Sequence, residues 1–592
     1  MLDYAAPLRD MEFVIAELIG FKGINNLRGC DEITPELCHA VLEEAGRLAR
    51  DKLAPLNRKG DVEGSKLEEG KVRTPEGWKD AYDAFREGGW PGLAVSTEYG
   101  GQGLPKVIAS AVNEMWDSSN LSFALCPLLS AGAIEAIECH GSNRIKGMFL
   151  HKLVSGEWSG TMNLTEPQSG SDLSTVSTKA VPEGDHFRIK GTKIYITYGD
   201  HDLTDNIIHL VLARLPGAPT GTKGISLFAV PKFLVKDDGS IGQRNEVQCL
   251  SLEEKLGIHA SPTAVMSYGE NEGAVGYLVG EENRGLMHMF TMMNNARHAV
   301  GREGLAISES AYQMALQYAL ERKQGNLPGV VNPATIVEHC DVKRMLMRMK
   351  SLTEAMRGLT YTCAYAFDVA ERTNDEQRSG WARRRGDLLT PVVKGWCTDN
   401  AQIVASLGVQ IHGGMGFVEE TGAAQYMRDA RILPIYEGTN GIQALDLMGR
   451  KTIRDGGQAV DELYQDMEST LSKLGEVDLA KVEVAFQQSL EHLLEVLDWI
   501  KANARNANLC NSAASHYLEL LGVVCGGWLL AKSALAAVKQ LANDPSDVKF
   551  YERKLLTAEF YAQQVLPETQ SLKDKIISGS EVISGIETEA FG

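Results

Sequence analysis

Apolar residues recur at helical spacing through the first part of the chain. The stretch LCHAVLEEAGRLARDKLAPLN, at residues 37–57, places apolar side chains three and four positions apart. The stretch VIASAVNEMWDSSNLSFALCPLL, at residues 107–129, repeats this spacing. The pattern predicts a helical N-terminal domain over residues 1–159.

The pattern changes between residues 160 and 284, where short β-branched and aromatic runs alternate with Gly and Pro. KIYIT, at residues 193–197, alternates apolar and polar residues as a half-buried strand does. HFRIK, IIHLVLARL, KGISLFAVP and AVGYLVG are similar runs. The Gly191–Thr192 step lies between two such runs and predicts a tight hairpin turn, because glycine tolerates positive φ. We therefore expect a β domain over residues 160–284.

Helical spacing returns at about Gly285. A long amphipathic pattern that begins at residue 287 predicts a helix ending at Gly325. More long helices are predicted through residue 450, and the last segment, residues 451–592, is again helical. The pattern therefore predicts an α+β fold with four segments, which are 1–159, 160–284, 285–450 and 451–592.

Composition and charge narrow the class of protein. The chain has 592 residues, enough for several domains, and a net charge of −19. Phosphate binding needs an excess of Lys and Arg on one face, so this balance argues against a general nucleic-acid binder. The last segment has 13 basic and 21 acidic residues and does not change that conclusion.

Reduced cysteines, the lack of an export signal and an acidic pI together predict a cytoplasmic protein. Ten cysteines are scattered from Cys30 to Cys525, without a CxxC pair or a His/Cys cluster at zinc spacing. We therefore expect reduced thiols and no metal site. The N-terminus has no basic region before a long apolar run, so no signal peptide is predicted. The most apolar stretch, Leu520–Val538, is interrupted by Lys532 and is interpreted as a buried core helix.

The segment IYEGTNGIQ, at residues 435–443, contains the candidate catalytic group. Glu437 follows an apolar run and precedes the start of a helix, which we expect Asn440 to cap. A carboxylate in an apolar channel has its pKa raised by desolvation, towards the value that a general base needs near neutral pH. Glu437 is therefore a candidate general base, and a solvated loop glutamate is the alternative for this segment taken alone.

Three other segments combine glycine with hydroxyl or aromatic residues. They are MNLTEPQSGSD at residues 162–172, KIYITYG at 193–199 and QIHGGMGF at 410–417. Small residues let the backbone approach a flat ring closely, and glycines expose backbone amides to a diphosphate. Arg297 and Arg322 have forked guanidinium groups that suit phosphate oxygens.

In this order, the segments resemble the signatures of the acyl-CoA dehydrogenase family. TEPxxGSD, KxWITNG, QxxGGxGF and the YEG tripeptide are each approximated in this chain. The resemblance covers residues 1–451 by motif and the whole chain by architecture. It implies an N-terminal helical domain, a central β-barrel-like domain, a C-terminal helical bundle and an additional C-terminal helical domain. It also implies FAD as the cofactor.

The resemblance assigns roles to single residues. Glu437 is implied as the base, Thr165 as a partner of the flavin ring, Tyr195 as an aromatic group against the flavin and Thr197 as a donor to flavin N5. The implied cofactor-binding residues are Met162, Leu164, Thr165, Ser171, Tyr195, Ile196, Thr197, Arg322, Gln410, Gly413, Gly414, Thr439 and Asn440. The implied substrate-binding residues are Ser171, Asn294, Arg297, Tyr436 and Gly438.

This chain departs from the family pattern at several positions. Tyr195 replaces the usual Trp, Tyr198 replaces the usual Asn, and RKQGN at residues 322–326 replaces RxTFG. Ala296 lies where some branched-chain and long-chain members carry the catalytic Glu. Because alanine cannot be a base, this position supports Glu437. His412 has no obvious partner in the sequence and is interpreted as structural.

The opening YAAPLRDMEFVIAELI, residues 265–297 and the added C-terminal segment are typical of a long bacterial subgroup. That subgroup includes 3-methylmercaptopropionyl-CoA dehydrogenases and enzymes for straight fatty acyl-CoAs, and both substrate types stay open. In the implied reaction, Glu437 removes the α-proton and flavin N5 accepts the β-hydrogen as hydride. The product is a trans-2-enoyl-CoA. The thioester carbonyl would accept hydrogen bonds from the Glu437 backbone N–H and a ribityl hydroxyl.

The resemblance also implies partners and leaves alternatives open. An electron-transfer flavoprotein would accept the electrons, although an acyl-CoA oxidase that uses oxygen is an alternative with the same fold. A non-catalytic relative that binds nucleic acid is disfavoured by the acidic last segment and by Glu437. Residues 410–417 and Arg322 are expected to reach the FAD of a partner subunit, so a homodimer is predicted. The added helices would occupy the surface that a second pair needs.

Overall fold

The structure is a computed structural model that describes residues 4–329 and 333–592. The chain forms two compact units that do not follow the linear order of the sequence. The first unit comprises the described residues of Met1–Glu43, Pro105–Glu114 and Arg297–Gly592. The second unit comprises Glu44–Leu104 and Met115–Ala296. The four segments expected from the sequence remain a prediction about its linear organisation.

The chain before the first long strand is mainly helical, as the spacing of apolar residues predicts. Its α-helices are Leu8–Phe13 (α1), Phe21–Asn25 (α2), Pro35–Leu48 (α3), Ala54–Glu63 (α4), Trp78–Glu87 (α5), Lys106–Ser119 (α6), Leu121–His140 (α7) and Asn143–Val154 (α8). A short antiparallel hairpin, Lys66–Glu68 (β1) with Lys71–Arg73 (β2), interrupts them. This charged hairpin lacks an apolar alternation, and we did not predict it.

The β domain of the second unit contains an eight-stranded sheet. Its strands are Trp158–Asn163 (β3), Lys179–Glu183 (β4), His186–Thr197 (β5), Asn206–Arg214 (β6), Ile225–Pro231 (β7), Val247–Leu252 (β10), Thr263–Tyr268 (β11) and Ala274–Leu278 (β12), with a separate hairpin of Phe233–Val235 (β8) and Ile241–Arg244 (β9). The order is β10-β11-β5-β12-β7-β6-β3, and β4 pairs with β5 and β6. Every residue of β7 is buried, so the central strands form the core of this domain.

The hairpin predicted at Gly191–Thr192 is wrong. β5 runs without interruption through both residues, and Gly191 pairs with Tyr268 of β11. A Cβ at Gly191 would lie 2.3 Å from the Thr178 hydroxyl, so glycine is required for close packing rather than for a turn. The turn lies earlier, at Gly184, whose φ is +62° and which joins β4 to β5.

The rest of the chain is helical, which confirms the predicted fold class. The helices are Gly285–Glu321 (α9), Cys340–Arg372 (α10), Glu376–His412 (α11), Ala423–Ala430 (α12), Asn440–Asp446 (α13), Gln458–Leu474 (α14), Ala480–Asn503 (α15), Ala507–Leu541 (α16), Val548–Gln564 (α17), Glu568–Ile577 (α18) and Ser580–Ser584 (α19). The helix predicted to end at Gly325 ends at Glu321 instead.

Among the described residues, two helices are long and apolar enough to cross a membrane by length and composition alone. They are α7 and α16, with mean hydropathies of 1.4 and 1.7. In each, 78% of the apolar window is buried inside the protein, as in a core helix. In α16, a Cβ at Gly522 would lie 2.3 Å from Trp396, so the glycines admit neighbouring aromatic rings. The predicted core helix at Leu520–Val538 is therefore confirmed.

A buried ion cluster ties three helices of the first unit together. The Arg357 guanidinium of α10 donates to Glu114 and to Glu309, each at 2.7 Å. The Tyr361 hydroxyl also donates to Glu114, at 2.6 Å. Glu114 and Arg357 are 0% and 1% exposed. Two buried carboxylates therefore share one guanidinium, and the packing of α6, α9 and α10 depends on that charge.

We expect Arg357→Met to destabilise the protein by ~3–5 kcal/mol, because it leaves two buried carboxylates without their cation. Urea unfolding followed by circular dichroism measures this change. Arg344→Met is the matched control, since Arg344 lies on the same helix but pairs with Asp341 at the surface. An equal loss of unfolding free energy in both variants would show that the buried cluster contributes no more to stability than a surface ion pair.

Candidate active site

The loop that carries Glu437 has a strained backbone. Glu437 has a φ of +55° and Gly438 a φ of +86°. Both values lie in the left-handed region that residues other than glycine rarely adopt. Helix α13 begins directly after this loop at Asn440. A non-glycine residue persists in this conformation only where its surroundings fix it, and such residues cluster at functional sites.

Thr439, rather than Asn440, caps helix α13, so the cap expected from the sequence is one residue off. The Thr439 hydroxyl accepts a hydrogen bond from the Ile442 N–H at 3.3 Å. Asn440 is the first helical residue, and its side chain turns to α11 instead. Its carbonyl oxygen accepts from the Lys394 ammonium at 2.8 Å. Its amide nitrogen donates to Asp399 at 2.8 Å and to Thr398 at 2.9 Å.

Gln443 holds the other side of the same loop. Its side-chain amide donates to the Gly438 carbonyl at 3.2 Å and to the Glu437 carbonyl at 3.5 Å. A Cβ at Gly438 would lie 2.8 Å from that amide nitrogen. The bracing side chain therefore fits only against glycine, and it fixes the left-handed backbone that presents Glu437.

Burial dominates the electrostatics of the Glu437 carboxyl. Burial raises the pKa of the Glu437 carboxyl to about 7, and the cations Arg297 and Lys394 oppose that rise. A general base is most effective when its pKa lies near the working pH. Desolvation thus supplies the basicity, while the two cations keep the ionised form accessible.

Two more predicted substrate residues of the first unit lie beside this loop. Arg297 is 5% exposed, and a Cβ at Gly438 would lie 3.7 Å from its guanidinium. Its Nε has no hydrogen-bond partner among the described residues. The Tyr436 hydroxyl donates to the carboxylate of Glu303, which is fully buried. Asn294 lies exposed near the start of α9, within the second unit.

The flavin-side residues predicted in the second unit lie on two touching segments. The Ile194 N–H donates to the Thr165 carbonyl at 2.9 Å, and the Thr161 hydroxyl donates to the Thr197 carbonyl at 2.7 Å. The chain after β3 is thus fixed against β5. Met162 and Ile196 are buried, whereas Leu164, Thr165 and Thr197 are half-buried and Ser171 is exposed.

Tyr195 lies in a β-bulge that turns its side chain outward. The register of β5 against β11 shifts between Lys193 and Ile196, and Tyr195 has a φ of +59°. Bulges of this kind redirect a side chain next to active sites. Tyr195 is 61% exposed, an unusual position for an aromatic residue inside a long strand. The bulge therefore presents an aromatic face that a planar ring can cover.

A buried ion pair supports this flavin-side segment from behind. Glu166 accepts from the Lys193 ammonium at 2.8 Å and from the hydroxyls of Ser177 and Thr178, each at 2.6 Å. Burial alone would raise the pKa of Glu166, but Lys193 and the hydroxyl donors lower it to about 2. Glu166 and Lys193 thus have a structural role, and they order the residues between Thr165 and Thr178.

The residues present fit a flavin in their chemistry. Among the described residues, the hydroxyls of Thr165 and Thr197 have no protein partner and stay available to a ring edge. In the first unit, Gly413 and Gly414 are exposed, and a Cβ at either would meet no atom within 4 Å. Their backbone is therefore accessible to a diphosphate.

The Gln410–Phe417 segment ends α11 at an exposed surface. Gln410 and Arg322 are exposed, and Phe417 is 87% exposed. His412 is buried, where it stacks on Tyr318 with ring centroids 4.5 Å apart and bonds the Gly408 carbonyl. Its structural partner, on α9, could not be seen in the sequence.

Sequence reasoning missed Lys394, Glu303 and the bracing role of Gln443. Lys394 and Glu303 are both far from this loop along the chain. Helix packing brings Glu303 to the Tyr436 hydroxyl and Lys394 close enough to act on Glu437 electrostatically. Gln443 belongs to the IYEGTNGIQ segment, so the motif contained it, but spacing alone did not show that it bonds back to the loop.

The chain belongs to the acyl-CoA dehydrogenase family, a class of FAD-dependent oxidoreductases, because family models and a full-length relative match it. Family models described as the acyl-CoA dehydrogenase N-terminal, middle and C-terminal domains match residues 35–157, 161–269 and 283–452. A fourth, described as acetyl-CoA dehydrogenase C-terminal like, matches residues 460–587.

Similar proteins cover almost the whole chain. A 3-methylmercaptopropionyl-CoA dehydrogenase of Ruegeria pomeroyi is 49% identical over 97% of this chain and 98% of its own length. A butyryl-CoA dehydrogenase of Syntrophomonas wolfei is 34% identical over 95% of each chain. The broad-specificity linear acyl-CoA dehydrogenase FadE5 of Mycobacterium tuberculosis is 32% identical over 100% of each chain.

Solved structures show the same fold. ACDH-11 of Caenorhabditis elegans, in complex with C11-CoA, superposes with a TM-score of 0.75 at 21% identity, covering 97% of this chain and 95% of that one. An acyl-CoA dehydrogenase of Bacillus anthracis complexed with FAD gives a TM-score of 0.74 at 21% identity, covering 96% and 91%. The added C-terminal helices are therefore part of a known architecture.

The raised pKa of Glu437 predicts a stability change that depends on pH. A carboxyl whose folded-state pKa lies above its unfolded value of 4.5 stabilises the fold fully below that value, and the contribution is lost as pH rises through about 7. We therefore expect Glu437→Gln, which stays neutral, to exceed the wild type in stability at about pH 8.5. Glu437 is half-buried, so solvent screens part of its charge, and the gain in the free energy of unfolding should be about 1–2 kcal/mol.

Urea unfolding at two pH values checks this expectation, and the difference should shrink towards pH ~5. Glu468→Gln, on the exposed side of α14, is the control and should change neither curve. A Glu437→Gln variant that is less stable than the wild type at the higher pH would contradict a desolvated carboxyl.

Proposed function

We propose that this chain dehydrogenates 3-methylmercaptopropionyl-CoA between Cα and Cβ, and straight-chain acyl-CoAs of similar length more slowly. The Ruegeria pomeroyi relative, at 49% identity, supports the thioether substrate. The relatives at 32–34% identity are named for butyryl-CoA and for linear acyl-CoAs. The observation that carries the proposal is the strained, braced loop that holds Glu437 with a pKa near neutrality.

In this proposal, Glu437 removes the α-proton of the thioester. Arg297 and Lys394 lie near enough to stabilise its ionised form before the reaction. The Glu437 backbone N–H has no acceptor among the described residues, so it is available to donate to the thioester carbonyl. That hydrogen bond stabilises enolate character and makes the α-proton more acidic.

FAD, when bound, supplies the hydride acceptor for the β-hydrogen at its N5 atom. Thr165, Tyr195 and Thr197 would hold its ring, and Ser171 would contact ring and substrate. Thr439 and Asn440, with Gln410, Gly413, Gly414 and Arg322, would contact its remaining parts. Tyr436, Gly438, Asn294 and Arg297 would border the acyl-CoA. An electron-transfer flavoprotein is the proposed acceptor of the electrons.

We also propose a homodimer. Phe417 is 87% exposed and Met415 is 49% exposed, beside the open backbone of Gly413 and Gly414. Large apolar side chains in such positions are typical of a surface that another molecule covers. A C2 pair would place the same surface of each subunit against its copy and complete both sites at once.

Anaerobic mixing with acyl-CoA should bleach the flavin, and Glu437→Gln should slow that bleaching by ~10²–10⁴-fold. The amide keeps the shape of the side chain but cannot accept a proton. Stopped-flow absorbance measures the rate, and flavin content and acyl-CoA binding should stay unchanged. Glu468→Gln is the control with the same chemical change outside the site. Near-wild-type bleaching in Glu437→Gln would falsify the role of Glu437.

The same assay tests the substrate. 3-Methylmercaptopropionyl-CoA and pentanoyl-CoA have chains of equal atom number and differ by sulfur in place of a methylene, so they form a matched pair. We expect the thioether to reduce the flavin faster than pentanoyl-CoA and than the longer members of a series up to palmitoyl-CoA. Preference for a long chain would reject the proposed substrate while leaving the dehydrogenation itself intact.

Light scattering tests the assembly, and we expect a mass near two chains of 64.5 kDa. Replacing Phe417 by Glu should weaken the pair and lower its FAD content, because the predicted flavin residues Gln410, Gly413 and Gly414 lie on the same segment. Val582→Glu, at another exposed apolar residue, is the control. A mass near four chains would show that the added helices do not block tetramer formation.

A further inference from the structure

Lys394 is a fully buried lysine beside the catalytic loop. It lies on α11 and is 0% exposed. Its ammonium donates to the Asn440 side-chain oxygen at 2.8 Å. Three carboxylates, Glu437, Asp399 and Glu303, and one cation, Arg297, act on it electrostatically. The ammonium is therefore placed among charges that include the proposed base.

Burial of this ammonium is unfavourable and needs compensation. Removing a charge from water costs several kcal/mol after relaxation, unless opposite charges and hydrogen bonds offset it. The hydrogen bond to Asn440 reaches a neutral amide, so attraction to the three carboxylates must supply the remaining compensation. Burial lowers the pKa of Lys394 to about 8, which keeps it charged at neutral pH.

Lys394 and Thr398 lie one turn apart on α11, and both form hydrogen bonds with the Asn440 side chain. Asn440 accepts from Lys394 and donates to Thr398 and Asp399, so both ends of its amide are occupied. Asn440 begins the helix that follows the left-handed residues Glu437 and Gly438. Fixing its position therefore fixes the end of the strained loop.

We infer that Lys394 is a positioning residue: it anchors the Glu437 loop through Asn440 and places a buried positive charge beside Glu437. This inference rests on the proposed role of Glu437 as the base. Lys394 does not contact the reacting atoms. It acts through Asn440, to which it donates a hydrogen bond, and through Glu437, on which its charge acts. Thr398 shares the anchoring role but carries no charge.

The charge of Lys394 gives the inference a pH dependence with a definite sign. A nearby cation favours the ionised form of a carboxyl, so removing it raises the pKa of Glu437 above about 7. The base then needs a higher pH to be ionised. Because the pKa of Lys394 is about 8, the wild type loses the same cation above that pH, and the two profiles should converge there.

The test compares Lys394→Met with Thr398→Val by stopped-flow flavin reduction of the FAD-loaded enzymes between about pH 5.5 and 9.5. The acid limb is the low-pH side of the profile, where the reduction rate rises as Glu437 ionises. In Lys394→Met, this limb should shift to higher pH by about one unit, so that reduction at low pH is about tenfold slower. Thr398→Val should lower the rate evenly and leave the limb in place, since it removes a hydrogen bond to Asn440 and no charge. Lys394→Gln keeps an amide donor for Asn440 and should shift the limb as Met does.

Each result decides the inference. An acid limb that stays in place in both Lys394 variants would overturn it, as would an equal shift in Thr398→Val. If Lys394→Met fails to fold, the Gln variant alone decides by the same criterion. Glu437→Gln runs in parallel: reduction at the wild-type rate in that variant would reject the base itself, whereas a slow Glu437→Gln with an unmoved Lys394 profile would reject only the role of Lys394.

Discussion

The attachment of Asn440 to α11 is the interaction on which the conformation of the Glu437 loop depends. Glu437 and Gly438 adopt backbone angles that are unfavourable in isolation, by about 1–3 kcal/mol for a non-glycine residue. Hydrogen bonds between the Asn440 side chain and four residues of α11 hold this conformation on one side, and the Gln443 amide holds it on the other. The proposed base is therefore held in place by helix packing as well as by its own sequence segment.

Buried charge recurs at places where the chain must be held in one arrangement. Arg357 links Glu114 and Glu309, and Lys193 fixes Glu166 behind the flavin-side segment. Each cation compensates carboxylates that would otherwise be unfavourable inside the protein. Such pairs add little net stability over apolar packing, but breaking one is costly. They consequently hold helices and strands in a fixed geometry while the apolar core supplies the stability.

The sequence could predict what depends on local spacing and on motifs. The helical segments and the β domain followed from periodicity, and the buried α16 followed from an apolar stretch interrupted by Lys532. The resemblance of a nine-residue run to the family signature indicated Glu437 as the candidate base. The predictions that failed concern contacts between distant segments. Gly191 was interpreted as a turn because its neighbour Thr178 is invisible in the sequence, and the cap was assigned to Asn440 because its partners lie on α11. Lys394 and Glu303 were missed for the same reason.

Hydrogen exchange at Cα of the substrate tests the central claim that Glu437 is a general base whose pKa lies near neutral pH. Acetyl-CoA has α-hydrogens but no β-hydrogen, so it can report proton removal without oxidation. Incubated with the FAD-loaded enzyme in heavy water and followed by NMR, it should exchange its α-hydrogens in the wild type, with a rate that rises through about pH 7. The exchange should be lost in Glu437→Gln. Equal exchange in both proteins would contradict the account.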